Sequence, residues 1–325
     1  MSIRLSLALD AGLSLEGPVS VLAPPPEADL AGLPVPVQVV QPFRPHHDHF
    51  ASRGFECVPA TDAPCRDAIL FLPRAKAQAR ALVARACDRA SGTVVVDGAK
   101  TDGIDSLLRD IRKRVPVEGP ISKAHGKIFW FRSESSAFAD WRAPDAQMAQ
   151  GFHTAPGVFS ADGIDPASAL LAAALPAKPG RRVADLGAGW GYLSAALLDR
   201  AGGIEGLDLV EADHVALECA RQNVNDPRAR FHWADALTWT PSDTLDAVVM
   251  NPPFHTGRAP DSDLGRGFIA AAARILAPGG RLWMVANRHL PYETALTERF
   301  AHVEEIGGDR RFKLLHAARP SRPHR

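Results

Sequence analysis

Val183-Ala184-Asp185-Leu186-Gly187-Ala188-Gly189-Trp190-Gly191 is the stretch that decides how this chain folds. Its first half predicts a buried strand, Arg182 to Leu186. Its second half predicts a glycine turn that leads into a helix starting near Trp190. Glycine tolerates positive φ and lets backbone approach a ligand with no Cβ in the way. The first turn of the helix that follows offers unpaired N–H groups. In dinucleotide folds that end meets a pyrophosphate. Asp185, just ahead of the turn, suits a pyrophosphate poorly. It suits a cationic amino group, such as that of a methionine moiety. Any tight strand-to-helix turn can carry glycines, so the next acid along the chain matters.

That acid is Glu211, 20 residues after Gly191, at the end of a strand from Ile204 to Val210. A strand-end carboxylate at this spacing can accept both ribose hydroxyls of a bound nucleoside. Asp208 lies in the same run and competes for the role. A helix from Asp213 to Asn223 follows. Phe231-His232-Trp233 then leads to Asp235, which can accept from an adenine amino group or simply hold a turn.

Leu245 to Met250 is a buried strand by composition. Asn251-Pro252-Pro253-Phe254 sits at its end, where ligands bind in open α/β sheets. Two prolines remove two N–H donors and stiffen the chain, leaving the carbonyls fixed. The Asn251 side-chain oxygen and the Pro252 carbonyl can each accept from a target amine and aim its lone pair at a methyl donor. Phe254 offers a face for stacking a base. A turn with the same prolines and no chemistry is the bland alternative. Coming after a glycine turn and a strand-end acid, the tetrapeptide instead predicts S-adenosylmethionine bound beside a planar –NH₂. The sulfonium is already an activated leaving group, so no metal is expected.

Around this centre the second half reads as a sheet with helices. Asp165 caps a helix, with Pro166 in its first turn, running to about Leu175. Leu264 to Leu276 is a helix ended by Pro278-Gly279-Gly280, and Arg281 to Ala286 is a strand. A helix begins near Pro291, and Val303–Ile306 with Phe312–Ala317 predict a terminal hairpin. Arg310, Arg311 and Lys313 place positive charge near that hairpin's turn.

The first half alternates strand and helix as well. Short strands are expected at Val19–Leu22 and Val35–Val40, limited by prolines at 24, 25, 26, 34 and 36. Asp67 to Pro73 and Thr93 to Gly98 are clearer strands; helices follow at Ala75–Arg89 and Ile104–Arg114. This is the pattern of a parallel α/β sheet, here without a Gly-x-Gly-x-Gly turn. Lys123 to Arg132 reads as the last strand of this half. The polar, Ala-rich Ser133 to Gln150 reads as the linker, dividing the chain into residues 1–145 and 146–325. His46-His47-Asp48-His49 looks like a metal cluster, but neighbours on an extended chain point to opposite faces, so a solvated loop is expected. The basic helix end Arg109 to Arg114 suits the helix dipole and can also meet RNA phosphate.

Composition agrees with a globular protein. Of 325 residues 46% are hydrophobic and 23% charged, enough for a core in one large or two ordinary domains. Thirty-seven Lys and Arg balance 37 Asp and Glu, which argues against a non-specific nucleic-acid coat but leaves room for a local basic patch. Cys57, Cys65, Cys87 and Cys219 form no C-x-x-C pair, so buried reduced thiols are expected, as in a cytoplasmic protein. Neither a secretory signal nor a membrane span is read in the sequence.

Residues 156 to 317 resemble the bacterial small-subunit 16S rRNA guanine-N2 methyltransferases of the methyltransferase C type. The stretches that carry the resemblance are Pro-Gly-Val-Phe-Ser (156–160), Asp-Leu-Gly-Ala-Gly-Trp-Gly (185–191), Asn-Pro-Pro-Phe-His-Thr-Gly (251–257), Val-Ala-Asn-Arg-His-Leu-Pro-Tyr (285–292) and Arg-Phe-Lys (311–313). The resemblance implies an α/β chain of two tandem methyltransferase-like, Rossmann-like domains. The catalytic one is a class I sheet of seven strands with an antiparallel last hairpin. The N-terminal one is degenerate, binds no cofactor and helps engage RNA. It implies that Gly187, Gly189, Gly191 and Glu211 line the cofactor pocket; Phe159, Asp185, Asp235 and Asn251 are expected to bind the cofactor with them. Asn251, Pro252, Pro253 and Phe254 would hold the target. The expected partner is 16S rRNA or the small ribosomal subunit, met by a monomer. The rival readings are an N5-glutamine protein methyltransferase, an adenine-N6 enzyme, and a non-catalytic RNA-binding or assembly protein.

Overall fold

The computed structural model describes residues 2–144, 146–253, 255–256, 259–260 and 262–321. The chain divides into two compact units, Met1–Gln147 and Met148–Arg325.

The first unit opens with α1 (Ile3–Asp10), which buries Leu5 and Ala8. Its parallel strands are β1 (Val19–Leu22), β2 (Val37–Val40), β3 (Glu56–Val58), β4 (Asp67–Phe71) and β5 (Thr93–Ala99). The antiparallel pair β6 (Glu118–Lys123) and β7 (Gly126–Arg132) completes the sheet in the order β3-β2-β1-β4-β5-β7-β6. Every residue of β4 is buried, as expected for a central strand covered on both faces. α2 (Arg44–Ser52), α3 (Lys76–Arg89) and α4 (Ile104–Arg112) are the crossovers. α4 turns Ile104, Leu107, Leu108 and Ile111 inward.

Three expectations change here. His46-His47-Asp48-His49 is helical, inside α2, and not a loop. Pro45 fits the first turn, where its missing N–H has no intrahelical partner anyway. Arg44 pairs with Asp48 one turn on at 2.8 Å, and Phe50 is fully buried. No group of three metal-ligating side chains occurs among the described residues. The run from Lys123 to Arg132 is also not one strand: Lys123 ends β6 and Gly126 starts β7. Ala124 and His125 make the turn between them at φ 48 and 54. Such hairpin turns usually advertise themselves through Asn-Gly or Asp-Gly, and this one does not. Within the expected linker, Ser135–Trp141 is a 3₁₀ helix whose Phe138 and Trp141 join the first unit's core. Arg114 at the basic end of α4 is held there, bidentate to Asp140 at 2.5 and 2.8 Å and stacked over Trp141.

A small ribbon, β8 (Gln147–Ala149) and β9 (Phe152–Thr154), marks the division. The second unit repeats the first. α5 (Pro166–Ala174) precedes β10 (Arg182–Leu186), α6 (Tyr192–Arg200), β11 (Gly206–Glu211), α7 (His214–Asn223), β12 (Ala229–Trp233) and β13 (Leu245–Met250). Two-residue strands β14 (His255–Thr256) and β15 (Ala259–Pro260) pair with each other. α8 (Ser262–Ile275), β16 (Leu276–Asn287), α9 (Tyr292–Thr297), β17 (Phe300–Gly308) and β18 (Phe312–Pro320) complete it. The sheet order is β12-β11-β10-β13-β16-β18-β17, with β18 antiparallel to both neighbours. The last hairpin is longer than the expected Val303–Ile306 and Phe312–Ala317.

The four cysteines are free. Cys65, Cys87 and Cys219 are buried, and burial pushes the thiols of Cys57 and Cys219 up to about 11 and that of Cys87 up to about 12. Among the described residues no helix is long and apolar enough to cross a membrane.

Candidate active site

The site forms where β10 and β13, adjacent and parallel, end on the same edge of the sheet. Gly187, Ala188 and Gly189 carry the chain off β10, and Gly191 opens α6 at φ 89. The glycines serve different ends. A Cβ on Gly189 would meet nothing within 4 Å, so that side of the turn is open. A Cβ on Gly191 would lie 2.9 Å from Val224 and 3.2 Å from the Cβ of Ala220. Gly191 therefore lets α6 pack on α7 and does not border the cavity.

A cavity opens over the turn, lined by Phe159, Ser160, Asp165, Ser168, Gly187 to Trp190, Tyr192, Leu193 and Asn251. Of the residues expected from the sequence, Phe159, Gly187, Gly189 and Asn251 meet there. Phe159 is 57% exposed, a large apolar ring left at the mouth. Its carbonyl accepts from the Trp190 indole at 2.9 Å, which ties the Phe159 loop to the glycine turn.

Glu211 stands next to the turn. Its two carboxylate oxygens accept from the N–H groups of Gly189 and Asp213, each at 2.8 Å. Burial raises this carboxyl above its ordinary value, against the pull of those donors. Each oxygen keeps a further lone pair, as a ribose-binding carboxylate requires. The competing Asp208 is buried and engaged by His232 at 2.7 Å, so the structure puts Glu211, not Asp208, beside the turn. Asp235 accepts from Leu237 N–H at 2.9 Å, and its carbonyl receives Trp239 N–H: it holds a turn and does not line the cavity.

Asp185 lies beneath the turn, completely buried. Ser194 donates to one oxygen at 2.8 Å, and among the described residues no hydrogen bond is formed to the other. Burial pushes the carboxyl up to about 7, with the nearby Glu211 charge adding to it. The carboxyl lies outside the lining of the cavity, and a positive charge held above the turn would favour its ionised form.

Asn251 is the best-defined member. Its amide nitrogen donates to Asp165 Oδ2 and to Ser168 Oγ, both at 2.9 Å. A carboxylate can only accept, so the nitrogen must face Asp165 and the amide oxygen must face away from it. That leaves Oδ1 available as an acceptor, as an amine target requires. Asp165 caps α5 with the same oxygen, accepting from Ser168 N–H at 2.8 Å. The sequence suggested Asp165 as a cap and missed that it also orients Asn251. Pro252 is buried behind Asn251 and Pro253 is exposed. Phe254 lies outside the described residues.

The first unit shows the same frame with the site removed. Ala23 N–H bonds the Val40 carbonyl as Gly187 N–H bonds that of Val210, both at 2.9 Å. Strand register then sets Val21 against Asp185, Gln41 against Glu211 and Phe71 against Asn251. Pro24, Pro25 and Pro26 stand where the glycine turn would offer N–H groups. Gln41 donates to the Pro24 carbonyl at 2.8 Å and accepts from Phe43 N–H at 3.0 Å, so its amide closes the space beside the turn. Prolines thus stand in place of the glycine turn, Gln41 in place of Glu211 and Phe71 in place of Asn251.

A seven-stranded sheet in this order, reversed only at its last hairpin, with ligand groups gathered where its first and fourth strands end, is the class I methyltransferase fold, present here twice. The family described as "Methyltransferase small domain" matches residues 149–316. A ribosomal RNA small subunit methyltransferase C from Shewanella pealeana is 30% identical over 270 residues, 78% of this chain and 77% of that protein. One from Hahella chejuensis is 29% identical, covering 79% of each. A ribosomal RNA large subunit methyltransferase G from Streptomyces coelicolor is 37% identical over 50% of this chain and 44% of its own. The solved 16S rRNA N2 G1207 methyltransferase of T. thermophilus superposes with a TM-score of 0.76 at 24% identity, covering 96% of this chain and 90% of that one. The chain belongs to the methyltransferase small domain family and, within it, to the ribosomal RNA small subunit methyltransferases C.

Proposed function

We propose that this enzyme transfers a methyl group from S-adenosylmethionine to the exocyclic N2 of a guanine in 16S rRNA. The observation that carries the reading is the fixed amide of Asn251, nitrogen toward Asp165 and Ser168, oxygen available at the strand end. The T. thermophilus neighbour was solved with AdoMet and guanosine, and the small-subunit relatives carry the matching name.

S-adenosylmethionine supplies a methyl on a positively charged sulfur; the amine nitrogen takes that methyl while the electron pair of the broken bond stays with sulfur. With that cofactor bound, Glu211 would hold the ribose hydroxyls, Asp185 beneath the turn would balance the ammonium charge, and the Phe159 ring would cover the mouth. Oδ1 of Asn251 and the Pro252 carbonyl accept the two N–H bonds of the target amine. They orient its lone pair and stabilise the positive charge that grows on nitrogen. The amine then loses a proton to water. A base stacked in a helix cannot reach this edge, so the target guanine is drawn out of its stack. The N-terminal unit engages the RNA, and the enzyme acts as a cytoplasmic monomer.

The large-subunit relative from Streptomyces coelicolor supports one competing substrate, large-subunit RNA. Methyl-labelled S-adenosylmethionine offered with under-methylated small subunits, large subunits, their naked RNAs and a release factor separates the readings. Label on small-subunit RNA is expected. Label confined to large-subunit RNA or to protein would overturn the substrate assignment.

A further inference from the structure

A second feature lies on the same edge of the catalytic sheet. β16 runs parallel to β13, with Met250 opposite Met284. Asn287, at the end of β16, therefore sits one strand across and about two residues beyond Asn251, on the order of 10 Å away. There a wide cleft is lined by Asn287, Arg288, His289, Arg310, Arg311 and Phe312, with no carboxylate among them.

The cleft is built. Asp309 Oδ1 accepts from the N–H groups of Arg311 and Phe312, both at 2.7 Å, and fixes the turn that carries the two arginines. Arg288 braces the same turn through the carbonyls of Asp309 and Phe312, and its charge is met by Glu305 at 3.0 Å. Arg311 lies over the Phe312 ring, 5.1 Å from its centre. Among the described residues no ion pair or hydrogen bond engages the side chains of His289, Arg310 or Arg311. Many other exposed arginines of this neutral chain are met by carboxylates, as Arg44 is by Asp48 and Arg142 by Asp88. Lys313, grouped with these cations by sequence, is buried against Glu293 at 2.5 Å and takes no part.

We infer that this cleft binds backbone phosphates of the RNA strand next to the target nucleotide, with Arg310 and Arg311 as the contacts. The inference rests on the RNA reading of the site. Phosphate fits because the two guanidinium groups stand on a fixed turn, with only that turn's Asp309 carboxylate near Arg311, and a phosphate oxygen pair matches their fork. The anchoring would hold the strand while the base enters beside Asn251.

The test uses full-length enzyme and the variants Arg310→Ala/Arg311→Ala and Arg310→Lys/Arg311→Lys, with small-subunit RNA as the probe. Cofactor affinity, measured by calorimetry, should be unchanged in both and shows that the fold is intact. RNA binding by the alanine pair should weaken at least tenfold and the KM for RNA should rise, with the lysine pair in between. The slope of log affinity against log salt should flatten by roughly 1.4, the value for two phosphate contacts on a single strand. Wild-type affinity and slope in the alanine pair would overturn the cleft while leaving the methyltransferase reading intact. Unchanged binding of naked RNA with loss only on ribosomal particles would assign the cleft to a protein and overturn it too. Wild-type enzyme that binds no RNA would overturn both readings.

Discussion

Replacing Asn251 by Asp tests the orientation on which the proposed chemistry depends. The two side chains have the same shape, but the new one sets a carboxylate oxygen where a donor now sits 2.9 Å from Asp165 Oδ2. Two unit negative charges at that separation repel by about 6 kcal/mol at an effective dielectric of 20. Taking up a proton instead costs about 5 kcal/mol at pH 8, at 1.36 kcal/mol per pH unit above an ordinary carboxyl pKa near 4. The pair will therefore share a proton. Asn251 is only half-buried and solvent screens the site, so a net loss of roughly 2–3 kcal/mol is reasonable. For a unit of this size that lowers the melting temperature by roughly 5–10 °C. A shared proton means a raised pKa, so the loss is small near pH 4 and grows as pH rises. The assay is thermal melting of Asn251→Asp at pH 5 and pH 8, beside the double variant Asn251→Asp/Asp165→Asn, which restores a donor opposite an acceptor. Equal melting of wild type and single variant at pH 8, or a double variant no better than the single one, would refute the geometry.

Asn251→Ala removes the acceptor and keeps the cofactor cavity: kcat should fall about 10²- to 10³-fold, as for loss of one preorganised polar group, with cofactor affinity nearly unchanged by calorimetry. Asp185→Asn bears on the buried carboxyl. Because folding raises its pKa from 3.8 to about 7, the wild-type residue favours the fold below pH 4 and loses that contribution as pH rises through 7. The variant should therefore gain stability over wild type by up to about 4 kcal/mol at pH 8 and little at pH 4, while binding the cofactor more weakly. Urea melts with no pH-dependent difference would contradict the assignment. Gly191→Ala adds a Cβ at φ 89 and 2.9 Å from Val224, so denaturation should show a loss of roughly 2–3 kcal/mol.

The parts legible in the sequence are those made by neighbours along the chain. The glycine turn, the strands beside it and the Asn-Pro-Pro corner each state their geometry within a few residues, and β10 spans the expected Arg182–Leu186. What was not legible joins distant segments. Asp165 meets Asn251 across 86 residues, and nothing in either local pattern announces it. Asp208 and Glu211 are both acids near the end of β11. Only the fold shows that His232 engages one while Gly189 engages the other. α2 escaped because three histidines and an aspartate read as polar loop until Phe50 is seen in the core. The lost site of the first unit could be noted as missing glycines. That Gln41 closes it from the Glu211 position needed the strand register.

The identity of the methylated nucleoside decides whether the enzyme modifies the exocyclic amine of guanine. Small subunits lacking base methylation would be incubated with the enzyme and labelled S-adenosylmethionine, and their RNA digested to nucleosides for mass spectrometry. N2-methylguanosine is expected as the labelled product, and it should disappear with Asn251→Ala. Label on adenosine, on a ribose or on another guanine atom would contradict the placement of an exocyclic guanine amine at Asn251.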